Sequence, residues 1–182
     1  MDVASLILAC SFFGQDALVE GIIRAESAAQ PMYVRAQDAP IGFPFESRDE
    51  ALSMVRQLRE NGQTAHVGLM GVTPKDARSF GVPAEKLFDP CMSIAVGSEL
   101  LSRYSVQCGG TEHRPRVGCA LNKYAQMLGR DPDHFATTVL FEKRSVSDSD
   151  PTDDAPSEKS TVHFQMDGPD SVGSIFFTTP SK

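Results

Sequence analysis

Glu26 is the residue of this chain best placed to do chemistry. It closes an amphipathic stretch, residues 17–27, in which Leu18, Ile22 and Ala25 share one stripe, and Pro31 comes shortly after. That pattern predicts a helix ending at Glu26-Ser27. Carbonyl groups exposed on a last helical turn carry roughly half a negative charge, so a carboxyl beside them resists ionisation and keeps its proton to higher pH. A carboxyl protonated near neutrality can hand that proton to the leaving oxygen of a glycoside, as a general acid. The plain alternative is a surface glutamate at a helix end, and a Glu-Ser pair alone does not separate the two.

Glycosidases commonly flank the scissile bond with two carboxylates. No clear second one emerges. Asp38, Glu46 and Asp49 fall in the stretch after Pro31, where exposed loop and helix-start carboxylates are the ordinary reading. His66 has no partner motif and reads as structural.

The elements that must hold Glu26 are helical. Residues 3–13 and 16–27 read as two helices broken at Gly14. Residues 42–44 read as a loop. Ser47-Arg-Asp-Glu50 is a capping box opening a helix with Ala51, Leu52, Val55 and Leu58 inward, stopped by Asn61-Gly62. Thr73-Pro74 and Asp89-Pro90 each start a helix with proline at the first position, the former ending near Gly81. Ile94, Gly97, Leu101 and Tyr104 suit burial, and residues 117–128 form the last clear helix. Helical periodicity covers nearly all of the first 130 residues.

Several of these elements form an ordered set: Cys10, Glu26-Ser27, Pro31, Gly68-Leu-Met-Gly-Val-Thr73, Asp89-Pro-Cys91 and Ala120-Leu-Asn-Lys-Tyr124. In order and spacing, over residues 5 to about 127, this resembles the lysozyme-like lytic transglycosylases of conjugation and type IV secretion systems. Their pattern has Gln and Asn where this chain has Gly71 and Thr73. Their Asn-Ser-Gly after the last Tyr is Ala125-Gln126-Met127 here. The resemblance implies a mainly α, lysozyme-like domain with a flexible C-terminal tail. It implies Glu26 as the catalytic residue, with Ser27, Gly68, Met70, Gly71, Thr73 and Tyr124 as the substrate-binding set. Gly68 and Gly71, lacking side chains, would let a glycan approach the main chain. Tyr124 reads equally well as core, and Met70 reads more readily as core than as cleft wall. The implied reaction needs no second carboxylate. Glu26 protonates the bridging oxygen, the substrate's N-acetyl group stabilises the cation, and Glu26 then removes the muramic 6-hydroxyl proton. The product is a 1,6-anhydro sugar. No cofactor is implied, and the partners would be peptidoglycan strands and other secretion-system components in the periplasm.

Composition sets outer bounds. At 182 residues the chain suffices for one domain and an extension, and 41% hydrophobic content suits a globular protein. A net charge of −7 without a basic patch offers nothing to nucleic acid. The apolar residues 4–13 lack a basic flank and are too short to span a bilayer, so they read as a core helix and provide no convincing signal peptide. Cys10, Cys91, Cys108 and Cys119 contain no C-x-x-C pair, which argues against a metal site. Four cysteines allow three disulfide pairings. The expected one is Cys10–Cys91 with Cys108–Cys119: the second is local and closes a polar, glycine-rich loop, and the first braces the acid-bearing helix. Four buried thiols remain the alternative.

Composition shifts at Ser145. Residues 1–144 read as the lysozyme-like domain, 145–161 as an acidic disordered linker, and 162–182 as a C-terminal segment. Val162, Phe164 and Met166 alternate with polar residues and Ile175-Phe-Phe177 follows, so 162–177 could add a strand to a partner or fold back on its own domain. Two further functions compete with catalysis: a non-catalytic glycan-binding or assembly module, which Gly71, Thr73 and Ala125 favour, and an unrelated cytoplasmic helical protein.

Overall fold

A computed structural model describes residues 3–11, 16–109 and 113–147, all within one unit spanning Met1–Asp150. Helix α1 (Val3–Cys10) precedes α2 (Asp16–Ser27), and Gly14, the expected break, lies outside the described residues. Strands β1 (Tyr33–Ala36) and β2 (Phe43–Pro44) follow, then α3 (Arg48–Glu60), β3 (Ala65–Val67) and α4 (Pro74–Ser79). A single 3-10 turn, Ala84–Phe88, leads into α5 (Pro90–Gln107), α6 (His113–Leu128) and α7 (Pro132–Ser147).

The expected caps form. The Ser47 hydroxyl accepts from the Glu50 amide at 3.3 Å, Thr73 from Asp76 at 3.0 Å, and Asp89 from Met92 at 3.0 Å. Each satisfies a backbone N–H that the first turn of a helix leaves without a partner. Leu18, Val19, Ile22 and Ile23 bury one face of α2 against its neighbours. Gly21 on that helix permits a close crossing, since a Cβ there would sit 2.6 Å from the Val139 carbonyl oxygen of α7. Both expected disulfides are present, Cys10–Cys91 joining α1 to α5 and Cys108–Cys119 joining the end of α5 to α6.

Three expectations need correction. Helical periodicity misses an antiparallel sheet of order β2-β1-β3, in which Val34 pairs with Phe43 on one side and Val67 on the other. Strands of two to four residues are too short to show an alternating pattern, and residues 43–44, read as loop, are one of them. Next, α6 begins at His113 rather than at residue 117, so more than half of the Cys108–Cys119 connection, read as a loop, is helix. Finally, α7 lies beyond the last helix expected. Its start repeats the Asp-Pro signal of α5: the Asp131 carboxylate accepts from the His134 amide at 2.8 Å. This helix runs to Ser147, past the composition shift at Ser145; the rest of the expected linker and the segment 162–182 lie outside the described residues.

Candidate active site

Glu26 occupies the penultimate position of α2, where the sequence puts it, but it is sealed. The residue is 2% exposed and its carboxylate is held by two arginines. Arg35 of β1 donates from Nε to Oε1 at 2.8 Å. Arg130, between α6 and α7, donates to Oε2 from Nε at 3.3 Å and from Nη2 at 3.2 Å. Burial pushes the Glu26 carboxyl above its ordinary 4.5, while Arg35 and then Arg130 pull it down. The direction is the one expected for a general acid, though burial drives it rather than a helix end.

The two arginines differ. Arg35 is 1% exposed and its remaining donors are all engaged: Nη2 reaches the Leu128 carbonyl at 2.7 Å, and Nη1 is shared among the carbonyls of Ala36, Gln37 and Ala39 at 3.1–3.3 Å. A guanidinium cannot shed its proton in a protein, so a buried one needs this full set of acceptors. Arg130 has a side chain 23% exposed; its Nη1 donates to the Pro40 carbonyl at 2.5 Å.

Arg130 also lines a cavity of about 350 Å³, together with Ala25, Asp38, Pro40, Asp131 and His134 among others. That size accommodates one or two sugar rings, and the wall mixes hydroxyl acceptors with donors as carbohydrate recognition requires. Glu46 and Asp49 are exposed and stand apart from this cavity, whereas Asp38 is part of its wall.

All six residues expected to bind substrate are buried, and among them Gly71 lies against Glu26. The Ser27 hydroxyl is shared between the Ile23 and Leu69 carbonyls, each at 3.0 Å. The Tyr124 hydroxyl donates to the Met70 carbonyl at 2.8 Å, and the Met70 amide donates to Ser93 Oγ at 3.2 Å. Tyr124 and Met70 are fully buried, Thr73 is spent on capping α4, and Gly68 packs beneath the Leu87 carbonyl. Together they fasten the 68–73 turn between α2, α5 and α6. Gly71 has φ +63°, and a Cβ there would lie 2.7 Å from Glu26 Cγ. A left-handed backbone and the carboxyl's own methylene thus both select glycine where the family pattern has Gln.

His66 is buried in β3, with Nδ1 2.9 Å from the Gly71 carbonyl oxygen and Nε2 2.8 Å from Gln37 Oε1. Burial, aided by Arg35 and Arg130 against the Gly71 bond, lowers its pKa to about 4. The ring is therefore neutral and carries a single N–H between two acceptors, donating from Nδ1 to the Gly71 carbonyl in one tautomer and from Nε2 to Gln37 Oε1 in the other. This braces Gly71 against Glu26.

Sequence reasoning missed Arg35 and Arg130. A signal existed for the first: an arginine in the otherwise apolar run Met32-Tyr-Val-Arg-Ala36 announces a buried charge in search of a counterion. Directly after Ser27, Ala28 (φ 48°) and Ala29 (φ 62°) both adopt the left-handed region, a costly conformation for non-glycine residues that clusters at functional sites. Among the described residues, no group of His, Cys, Asp and Glu could hold a metal ion, and no helix is long and apolar enough to cross a membrane.

Comparison with known proteins bears on the whole domain. No curated protein and no solved structure matches the chain. The family model described as the Transglycosylase SLT domain matches residues 9–145, which takes in Glu26, both disulfides, Arg130 and nearly all of α7. The chain therefore belongs to the SLT transglycosylase family, a lysozyme-like helical domain with lytic transglycosylase or glycosidase activity.

Proposed function

We propose that this protein is a peptidoglycan lytic transglycosylase that cleaves the MurNAc–GlcNAc β-1,4 bond, leaves a 1,6-anhydro end, and opens the wall for a secretion or conjugation apparatus. The observation carrying this reading is a carboxyl at the end of α2 that burial pushes upward, beside a sugar-sized cavity from which one partly exposed arginine divides it. Glu26 acts as acid toward the bridging oxygen and as base toward the 6-hydroxyl; the substrate's N-acetyl group meets the developing cation, so no second carboxylate is required. Two disulfides suit the oxidising periplasm.

The test is incubation with purified sacculi and mass spectrometry of the soluble products. Anhydro-muropeptides from the wild type and none from Glu26→Gln are expected. Equal turnover by Glu26→Gln removes the assignment.

A second reading, a glycan-binding or assembly module, is favoured by the paired arginines, which neutralise the carboxylate in this state. Co-sedimentation with sacculi and no released product, from wild type and variant alike, supports it. The partner role of residues 162–177 is part of the same proposal. Because α7 extends to Ser147, the chain is cut after Ser147 to test it. Retained stability and cleavage with lost recruitment to the apparatus supports docking, and a melting temperature lowered by several degrees refutes it.

A further inference from the structure

A carboxylate bonded to two guanidiniums cannot donate a proton, so a Glu26 that cleaves glycosides must lose one of its partners. Arg35 is the wrong one to lose: it is enclosed, and moving it strands the Leu128 carbonyl and breaks its bonds to the turn after β1. Arg130 is partly exposed, is attached otherwise through the single Pro40 carbonyl, and lines the cavity itself. That cavity also contains Asp38 and Asp131, both exposed, and among the described residues neither forms an ion pair. The guanidinium thus has a second pair of anions within the same cavity.

We propose that Arg130 is a latch operated by the glycan: a sugar chain filling the cavity draws the guanidinium away from Glu26 and Pro40 toward Asp38 and Asp131, and so uncovers the carboxyl. The proposal rests on the lytic reading for its ligand. Arg130 is then a positioning residue that switches Glu26 between two states. With the latch closed, Glu26 is an anion between two cations. With it open, one cation remains, and the enclosed carboxyl takes up a proton from water and presents it to the bridging oxygen. The other ionisable groups around Glu26 keep their state. Arg35 from β1 stays charged, His66 from β3 stays neutral and Tyr124 from α6 stays protonated, while His134 from α7 is part of the cavity wall.

The test follows the Glu26 carboxyl by carbon NMR across pH in the full chain, its resonance assigned by loss in Glu26→Gln. Wild type, Arg130→Gln and Arg130→Lys are each titrated with and without chitotetraose, a neutral chitin oligosaccharide. In wild type the sugar should raise the midpoint by about one pH unit, a tenfold change in proton affinity, toward the value of Arg130→Gln. The sugar should leave Arg130→Gln unmoved, and Arg130→Lys should fall between. Three results overturn the latch: chitotetraose that binds without moving the wild-type midpoint, chitotetraose that does not bind at the cavity, or Arg130→Gln titrating as wild type does. Sacculus cleavage separates this outcome from that of the parent reading. If the midpoints move as expected while no form releases muropeptides, the lytic reading fails and the latch stands. If wild type and Arg130→Gln cleave with the same pH profile, the latch fails and the lytic reading stands.

Discussion

Helix α2 carries two glutamate–arginine pairings whose glutamates lie less than two turns apart, and they obey different physics. Near its middle, Arg24 Nη2 meets Glu20 at 2.7 Å with the arginine side chain 44% exposed. At its end, Glu26 meets Arg35 at 2.8 Å with both side chains fully enclosed. The distances are nearly equal. In the first pair Glu20 is largely covered but Arg24 stays in water, so forming the bond changes less. In the second, neither charge has solvent to fall back on, so each is held by the demands of the other and by every polar group around them. Contact distance does not reveal which kind of pair is present; burial does.

Deleting one partner of the enclosed pair should have the largest effect. Arg35→Met leaves a carboxylate without its inner cation and the Leu128 carbonyl without its donor, a loss of about 3–5 kcal/mol. Urea denaturation at neutral pH measures it. A loss below 1 kcal/mol would place Arg35 in the same class as Arg24.

The second effect is a pH dependence at His66. Its pKa falls from 6.5 in the unfolded chain to about 4 in the folded one. Between those values the unfolded state binds more protons, so the histidine's contribution is complete above pH 6.5 and is lost as pH falls toward 4, to the extent of roughly 3 kcal/mol. Glu26, shifted upward by burial, works in the opposite sense. The histidine's share is therefore the difference between wild type and His66→Gln in stability measured at several pH values. Parallel curves would remove it.

Installing the family's glutamine at Gly71 should cost about 1–3 kcal/mol from the left-handed backbone alone, and more from the approach to Glu26 Cγ. Thermal melts of Gly71→Ala and Gly71→Gln check this, with the glutamine variant expected to be the lower. A glutamine variant as stable as wild type would show that the carboxyl and its arginines can rearrange around a side chain.

The smallest effect belongs to the half-exposed pair. Glu20→Ala should lose about 0.3–0.5 kcal/mol, most of it gone in high salt, as an i,i+4 ion pair does. A larger, salt-independent loss would mean that the partial burial of Glu20 makes this pair behave like its neighbour.

Much of this protein was legible before folding because the signals were local. Hydroxyl and carboxylate caps, proline at a first helical turn and an apolar stripe act within four residues, and they placed α2, α3, α4 and α5. The Asp131-Pro132 start of α7 is equally local, the same signal that opens α5 at Asp89-Pro90. The sheet was not legible, since strands this short derive their stability from pairing and leave no period of their own.

For the site, the sequence by itself determined the helix that ends at Glu26 and the turn glycines. Each follows from chain-local geometry or from an ordered motif. Only the tertiary structure decided what surrounds the carboxyl. Arg35 and Arg130 lie 9 and 104 residues from Glu26, and a long-range charge pair has no spacing rule. Whether Ser27, Tyr124 and Met70 face a glycan or hold a turn depends on where the fold sets the 68–73 turn against α2 and α6, because a hydroxyl or carbonyl bonds to whatever the fold brings within 3 Å. Burial turned an ordinary helix-end glutamate into a carboxyl shut between two cations, and burial belongs to the folded chain.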